Sequence, residues 1–468
     1  MSQSAEAAAP RTSLLTMFNF SLGSLPLASL GAAMAIYVQP YFAQGLGASL
    51  VTIALAFGIV RIVDMGVDPL LAILMDRTKT FVGRYRVWQL AGIPVLMLGT
   101  YKLFMAPTGI GLGYLIVWIL VYALGSSLVG LARSAWSATV VTRYDQRSRF
   151  YGFLNAVGGV GNFFVLGIAI AYPALVKQYG HHLPNDVQLM GWASLALIPV
   201  GLGLSAALVP ERVNPDTKTA HFPLREYWAL AKKPEVLRLF ISAFALTLGP
   251  GWMGNLYIFF FTDAFRFDNS QASLLLGFYI LAGVLGAPLV GMLGARFSKH
   301  RTMIAVTVLY SLGLCMVTVL PKGNLLAVIP VMIWCGFNAT GFDLMTSAMM
   351  ADVGDQVRLE QGKERMALLF AITGLAQKLA AAGAVVISYP LLAVVGYVPK
   401  LGLHNTPAGI LGLTLVFILG PIFWCILGGV CFLGWKLDAT KHADIRARLE
   451  MRDAQLAAGG GALESGPL

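Results

Sequence analysis

The chain has 468 residues, 57% of them hydrophobic and only 12% charged, with a mean hydropathy of +0.73. A soluble protein of this length needs far more polar surface, so the composition excludes one and defines a polytopic membrane protein. Lysine and arginine outnumber aspartate and glutamate by 33 to 22, but the excess sits in short loops between apolar runs. There it sets orientation and meets anionic headgroups rather than nucleic acid.

The N-terminal "MSQSAEAAAPRTSLL" lacks the short apolar core and processing site of a cleaved leader, so the first apolar run is expected to stay as a span. About 20 apolar residues cross the hydrocarbon core as a helix. Twelve such runs follow in order, at 13–43, 50–75, 88–106, 112–142, 151–176, 188–209, 237–262, 272–296, 302–321, 325–351, 366–395 and 409–435. They predict an all-α membrane protein of twelve transmembrane helices in two pseudo-symmetric six-helix bundles. The organisation is a first bundle over 1–209, a central loop over 210–236, a second bundle over 237–437 and a tail over 438–468. Within the central loop, "LREYWALAKK" reads equally as a helix at the membrane surface or as an ordinary amphipathic linker. The tail is charged and then glycine-rich, and is expected to be disordered at its end. Cys315, Cys335, Cys425 and Cys431 fall within the runs without metal-ligand spacing and read as small hydrophobes, not disulfides.

Three basic residues, Arg61, Arg133 and Lys378, lie inside spans, and Lys102, Lys177, Arg266, Lys322 and Lys400 lie on or beside the loops of one side. All the others are on the side that holds both termini and the central loop. That bias places both termini in the cytoplasm of a multi-pass protein of the cell inner membrane.

The charges inside the spans carry the functional reading, because an ionised side chain at mid-bilayer costs at least ~2.5–3.5 kcal/mol. In "RIVDMGVDP", Arg61, Asp64 and Asp68 are spaced i, i+3, i+7 and share one helix face. Asp68 and Asp64 lie roughly 12 and 18 Å above Asp76, near the middle of a ~30 Å core. Two carboxylates about 6 Å apart repel by roughly 3 kcal/mol at an effective dielectric of 20, so they trap a proton or another cation. Pro69 frees the carbonyl of Met65 as a further oxygen. The bland alternative is a packing salt bridge, but Arg61 alone cannot neutralise two acids. Arg133, Asp343 and Lys378 reach similar depth, roughly 15, 13 and 20 Å from the inner boundary. Lys378 is a candidate counter-ion for the acid pair. Arg133 and Asp343 read either as holders of a polar substrate or as a gate joining the two halves. "LGPGWMGNLY", with Trp252 and Asn255, resembles a broken helix lining a cavity, although tight helix packing explains its glycines nearly as well. All six histidines lie in loops or the tail and no GxxxxGK[ST] loop occurs, so neither enzymatic chemistry nor ATP-driven transport is expected.

The halves echo one another: "MDRTKTFVGRYRVW" after span two matches "ARFSKHRTM" after span eight, and "RYDQRSRFYGF" after span four matches "ADVGDQVRLEQGKERMALLF" after span ten. "RIVDMGVDP", "DRTKTFVGRYRVW", "AWSATVVTRYDQRSR" and "ADVGDQVRLEQGKER" followed by "QK" resemble the glycoside–pentoside–hexuronide:cation symporters, the melibiose permease-like branch of the major facilitator superfamily. The resemblance runs from span one to span twelve. It implies alternating-access symport coupled to sodium or protons, with Asp64 and Asp68 binding the cation, Lys378 and Arg61 as counter-ions, and Trp136 as a matching position. With the mid-depth charges and the span-seven stretch, the expected substrate set is Arg133, Trp136, Asp343, Asn155, Trp252 and Asn255. The cytoplasmic gate is Asp76, Arg77, Asp145, Arg149, Asp352, Asp355 and Arg365.

The departures are equally informative. Sugar-holding aspartates of the family's type member fall at Ala28 and Ala132, its span-five arginine falls near Val157, and a span-ten tryptophan is replaced by Asp343. An asparagine and a threonine of its cation site are replaced by Val67 and Val129, which leans the coupling ion towards the proton.

The sequence therefore predicts a cation-coupled importer of a small polar solute, most of all a sugar, glycoside or glucuronide. It acts as a monomer in the lipid bilayer, with no cofactor beyond the coupling ion and no nucleic-acid partner. Uptake of an amphiphile such as a lysolipid, or of an organic anion, is the alternative within transport. A non-transporting membrane sensor is the alternative outside it.

Overall fold

The computed structural model describes residues 12–78, 80–141, 144–180, 182–211, 230–361 and 365–463. Among them are twelve helices long and apolar enough to cross a membrane. These are α1 (Leu14–Gln44), α2 (Leu50–Arg77), α3 (Arg86–Phe104), α4 (Leu112–Val140), α5 (Tyr144–Tyr179), α6 (Asp186–Leu208), α7 (Pro234–Ala264), α8 (Asn269–Phe297), α9 (Lys299–Val317), α10 (Leu325–Gln361), α11 (Met366–Val394) and α12 (Pro407–Val430). A final helix, α13 (Ala439–Leu463), follows. Twelve crossings, an even number, return the chain to the side from which α1 starts. The protein is thus a multi-pass membrane protein.

Local chemistry starts these helices where the apolar runs begin. Ser49 caps α2 by accepting the Thr52 N–H at 3.0 Å, and Asn185 and Gln188 form a reciprocal capping box at the start of α6. Large apolar side chains such as Ile62, Leu285 and Met292 are exposed, as a surface solvated by lipid requires. Helix contacts rest on small residues. A Cβ added to Gly125 of α4 would lie 2.5 Å from the Leu96 backbone nitrogen, and one on Gly99 of α3 would lie 2.6 Å from the Tyr122 Cα. Only glycine lets α3 and α4 approach this closely.

The described residues fall into two compact units. One lies within Met1–Ala220, Gly254–Gly277 and Val385–Val416, and the other within His221–Met253, Phe278–Ala384 and Phe417–Leu468. Where α1 begins, the first unit holds a core of Met17, Phe20, Trp136, Val140, Val141, Phe150 and Val209, drawn from the ends of α1, α4 and α5 and the residue after α6. Deeper in, Leu71 and Met75 of α2 pack on Leu128 and Ala132 of α4.

Three expectations change. First, α7 is not broken at "LGPGWMGNLY": it stays α-helical from Pro234 to Phe259, and its irregularity is a π-helical turn at Phe260–Ala264. Two of its three glycines are packing contacts, since a Cβ on Gly249 would meet Cys425 Sγ at 2.8 Å and one on Gly251 would meet Ala384 at 3.3 Å, whereas one on Gly254 would meet nothing within 4 Å. A matching π segment occupies Ala33–Val38 of α1. Second, α10 continues ten residues past the expected span, through "DVGDQVRLEQ", to Gln361. Third, the tail is helical from Ala439 to Leu463, while residues 464–468, the last of the end expected to be disordered, lie outside the described residues. Ile445 and Leu449, one turn apart, are buried, and α13 packs along the inner extension of α10. Arg452 donates to the carbonyls of Arg358 and Leu359, at 3.2 and 3.4 Å, near the C-terminal end of α10. Each helix therefore completes the other. Of "LREYWALAKK", residues 224–229 lie outside the described residues.

Candidate functional site

Asp64 and Asp68 occupy successive turns of α2 and are both buried, at 7% and 8% exposure. The carboxylate of Asp64 accepts a hydrogen bond from Arg61 Nη1 at 3.2 Å and one from Ser127 Oγ of α4 at 3.1 Å. Arg61 is about a third exposed, and its Nη1 lies 3.2 Å from Asp64 Oδ2. Along the same helices Val67 and Leu71 of α2 pack with Leu128 and Ala132 of α4 in an apolar cluster. Pro69 lies inside the continuous α2 and has no N–H to give to the Met65 carbonyl. Val129, at the family's threonine position, is fully buried and turned into α3, where a Cβ on Gly92 would lie 2.8 Å from its Cγ2. Ser127, two residues earlier, brings a hydroxyl to the acid pair instead. The sequence shows it as a polar residue deep in an apolar run, "ALGSSLVG". Two carboxylates and one hydroxyl, with a carbonyl that lacks its helical donor, suit a proton or a small hard cation.

A second polar centre lies in the other unit. Asp343 of α10 accepts a hydrogen bond from Gln377 Nε2 of α11 at 3.0 Å. The two side chains open into a cavity of about 250 Å³ that Thr247, Tyr279, Phe342 and Thr346 also line. That volume falls below the ~300–1,000 Å³ typical of small-molecule sites, so it takes one ring-sized part of a ligand. Gln377 was legible as the first letter of "QK", beside Lys378, but had no role in the sequence reading. Lys378 itself is half-buried on α11.

Other expected substrate residues have structural surroundings. Arg133 is 6% exposed and donates to the Phe20 carbonyl at 2.8 Å, to Ser205 Oγ at 3.0 Å and to Ser24 Oγ at 3.5 Å. Its guanidinium stacks 4.5 Å from the Phe20 ring centroid. It crosses α1 at Gly23, where a Cβ would sit 2.1 Å from Nη1. The hydrogen bonds described for Arg133 and for Asp343 each stay within their own unit. Trp136 is fully buried in the inner core, edge-on to Phe20 with ring centroids 5.4 Å apart. Trp252 is buried, and a Cβ on Gly420 of α12 would touch its ring at 2.4 Å. Asn255 is buried and its carbonyl accepts from Tyr389 OH at 3.4 Å. Asn155 is exposed on α5.

Of the expected gate residues, Asp352 and Asp355 join a charged cluster in the second unit, and a separate cluster around Glu211 in the first unit holds none of the others. In the second unit Asp352 accepts from Lys299 Nζ at 2.6 and 2.8 Å. His442 Nε2 lies 3.0 Å from Asp355 and 3.3 Å from Asp352, and Lys233 pairs with Glu360. In the first unit Glu211 accepts the backbone N–H groups of Arg84, Tyr85 and Arg86 at 2.9, 2.8 and 3.0 Å, and so caps the start of α3. Lys299, His442 and Glu211 were missed because their partners are distant in sequence. Arg77 and Arg149 are exposed and Arg365 is half-buried. The side chains of Asp76 and Asp145 lie outside the described residues.

Twelve spans with this packing have solved counterparts. The nucleoside transporter NupG superimposes with a TM-score of 0.63 at 14% identity, over 91% of this chain and 100% of that one. A structure of proton dependent oligopeptide transporters does so with a TM-score of 0.64 at 13% identity, over 93% and 100%. The architecture is the major facilitator fold. Residues 19–439 match the family described as MFS/sugar transport protein, and the chain belongs to that family, the glycoside–pentoside–hexuronide:cation symporters. Among its relatives, the raffinose carrier protein of Pediococcus pentosaceus is 23% identical over 86% of this chain and 64% of its own length. An uncharacterized symporter of Bacillus subtilis, YnaJ, is 23% identical over 95% and 96%, and the isoprimeverose transporter of Lactiplantibacillus pentosus is 22% identical over 94% and 91%. The chain thus spans about two-thirds of the raffinose carrier and nearly all of the other two.

Proposed function

We propose that this protein is a secondary active symporter that imports a sugar or glycoside together with a proton or sodium ion. It works by alternating access as a monomer in the cell inner membrane, with both termini in the cytoplasm. The halves 1–209 and 237–437 are the moving bodies of that cycle. The observation that carries this reading is the buried carboxylate pair on α2 with Ser127 as third oxygen donor. A membrane helix bears the cost of burying such a pair only where a cation visits it. The raffinose, isoprimeverose and lactose carriers among the relatives support a sugar as cargo. The cavity at Asp343 and Gln377 supports a neutral hydroxylated one.

The cation neutralises Asp64 and Asp68 and lifts their mutual repulsion of roughly 3 kcal/mol. Arg61 remains as the resident counter-ion of Asp64. Lys378 keeps the role that the family resemblance implies, a counter-ion in the ion-free state. Each ligand then stabilises the conformation that the other binds, which is coupling. Moving one charge inward across 100 mV supplies about 2.3 kcal/mol, so a neutral sugar accumulates roughly 40-fold per coupled charge at 1.4 kcal/mol per tenfold.

The test is uptake by energised vesicles of sugars, glucuronides, organic acids and lysolipids, with and without sodium and at two pH values. Asp64→Asn and Asp68→Asn are each expected to abolish accumulation while leaving solute exchange. Accumulation that survives both substitutions sinks the coupling mechanism.

A further inference from the structure

The first unit contains another chamber, whose lining includes neither Asp64 nor Asp68. It measures about 330 Å³ at the outer end, and Tyr37, Tyr41, Gln44, Asn185, Asp186 and Asn269 line it. The first three come from the last turns of α1, beginning in its π segment. Asn185 and Asp186 open α6, and Asn269 opens α8. Two phenol rings supply flat apolar faces for the C–H face of a pyranose or furanose ring. The amides of Gln44 and Asn185 donate and accept, and Asp186 accepts from hydroxyls. Among the described residues no lysine or arginine pairs with Asp186, so the chamber suits a neutral polyhydroxylated ring and repels an anionic one.

The walls also bolt the start of α8 to the first half of the chain. Asn269 Nδ2 donates to Asp186 Oδ2 at 3.1 Å, Tyr37 OH and Ser273 Oγ share a hydrogen bond of 2.7 Å, and Ser270 Oγ donates to the Ile170 carbonyl at 2.9 Å. Asp186 Oδ1 already accepts the Val187 N–H at 2.9 Å, so a sugar hydroxyl that donates to Asp186 shares Oδ2 with Asn269 and weakens its hold. Occupancy of the chamber and closure of this bolt therefore draw on the same carboxylate oxygen.

We infer that this chamber is an outer vestibule that binds the sugar ring ahead of the Asp343 cavity, and that the sugar's hydroxyls take Asp186 from Asn269 and so unbolt α8. The inference rests on the reading of the protein as a sugar transporter. Radiolabelled lactose and raffinose binding to the purified full chain in nanodiscs tests it. Asp343→Asn disables the cavity of the second unit, and the vestibule predicts residual binding in that variant. Tyr41→Ala added to it is expected to lower the residual binding at least tenfold. Asn269→Ala, which removes only the competitor, is expected to raise it about fivefold, the worth of one hydrogen bond. A merely structural role for Asn269 predicts loss instead. Hydrogen exchange of the segment 265–277 is expected to quicken when sugar is added to Asp343→Asn. If the unsubstituted protein binds and accumulates sugar while Asp343→Asn binds none, the vestibule is refuted and the transporter reading stands. If the unsubstituted protein neither binds nor accumulates any sugar, both fall. Unchanged or slower exchange refutes the unbolting.

Discussion

A single methyl group at Gly23 decides whether Arg133 serves the fold or the cargo. In Gly23→Ala the new Cβ would lie 2.1 Å from Arg133 Nη1 and 2.6 Å from Cζ, so the guanidinium must withdraw. It then gives up its bonds to the Phe20 carbonyl and to Ser205. Each hydrogen bond from a charged donor is worth about 1.5–3 kcal/mol, and Arg133 is too buried for water to replace them. With partial relaxation of the long side chain, a loss of about 3 kcal/mol is expected. In an Arg133→Met background the same methyl meets no guanidinium and costs under about 1 kcal/mol, leaving a coupling energy of about 2 kcal/mol. Unfolding of the four proteins of this cycle in mixed micelles, titrated with SDS, measures the coupling. Uptake by Arg133→Met is expected to keep its KM within about threefold while yielding less folded protein. The reasoning fails if Gly23→Ala costs the same in both backgrounds, or if Arg133→Met raises KM tenfold without loss of stability.

Ser127→Ala removes the donor to Asp64 Oδ1; with sodium as coupling ion, the sodium concentration for half-maximal uptake is expected to rise about tenfold, the worth of one charge-assisted bond. No sodium effect in either protein assigns the coupling to protons. Ile445→Asp with Leu449→Asp places charges where α13 buries its two apolar anchors. Tryptic cleavage after the exposed Arg446 and Arg448 should then quicken at least tenfold, and an unchanged rate would show that α13 does not depend on this face. Glu211→Gln weakens the cap on three N–H groups at the start of α3; a loss of about 1 kcal/mol in the same SDS titration is expected.

The twelve spans and the acid pair could be read from the chain because lipid makes them local properties. A span needs only length and apolarity, and Asp64 and Asp68 share a face through helix period alone. What could not be read depends on the partner of each polar group. Arg133 and Asp343 look alike in sequence, as lone charges at mid-depth. One meets a carbonyl exposed at the Leu22–Gly23 break of α1, whereas the other opens into a cavity. The glycines of "LGPGWMGNLY" suit a broken helix or close packing equally, and only the position of Cys425 and Ala384 separates the two. The helical tail was misread for a related reason. Its isolated propensity is weak around "AAGGGAL", and the part before it is held by α10, which supplies two carbonyls for Arg452 and two carboxylates for His442.

The charge of the second unit's cavity sets a limit on the cargo that sequence motifs leave open. Among the residues lining the cavity Asp343 is the sole ionisable acid and there is no cation. A uronate carboxylate about 4 Å from Asp343 would be repelled by about 4 kcal/mol at an effective dielectric of 20. Even half of that, roughly 2 kcal/mol after screening by water, disfavours a glucuronide about 30-fold against the matching neutral glycoside. Hydroxyls, in contrast, can donate to the acceptor capacity that Gln377 leaves on the Asp343 carboxylate. Competition by a glycoside and its uronide for uptake of one labelled sugar is expected to show this ratio in kcat/KM. Asp343→Asn should shrink it towards unity while weakening the neutral sugar. Equal competition by both in the unsubstituted protein would mean that the cargo does not meet Asp343.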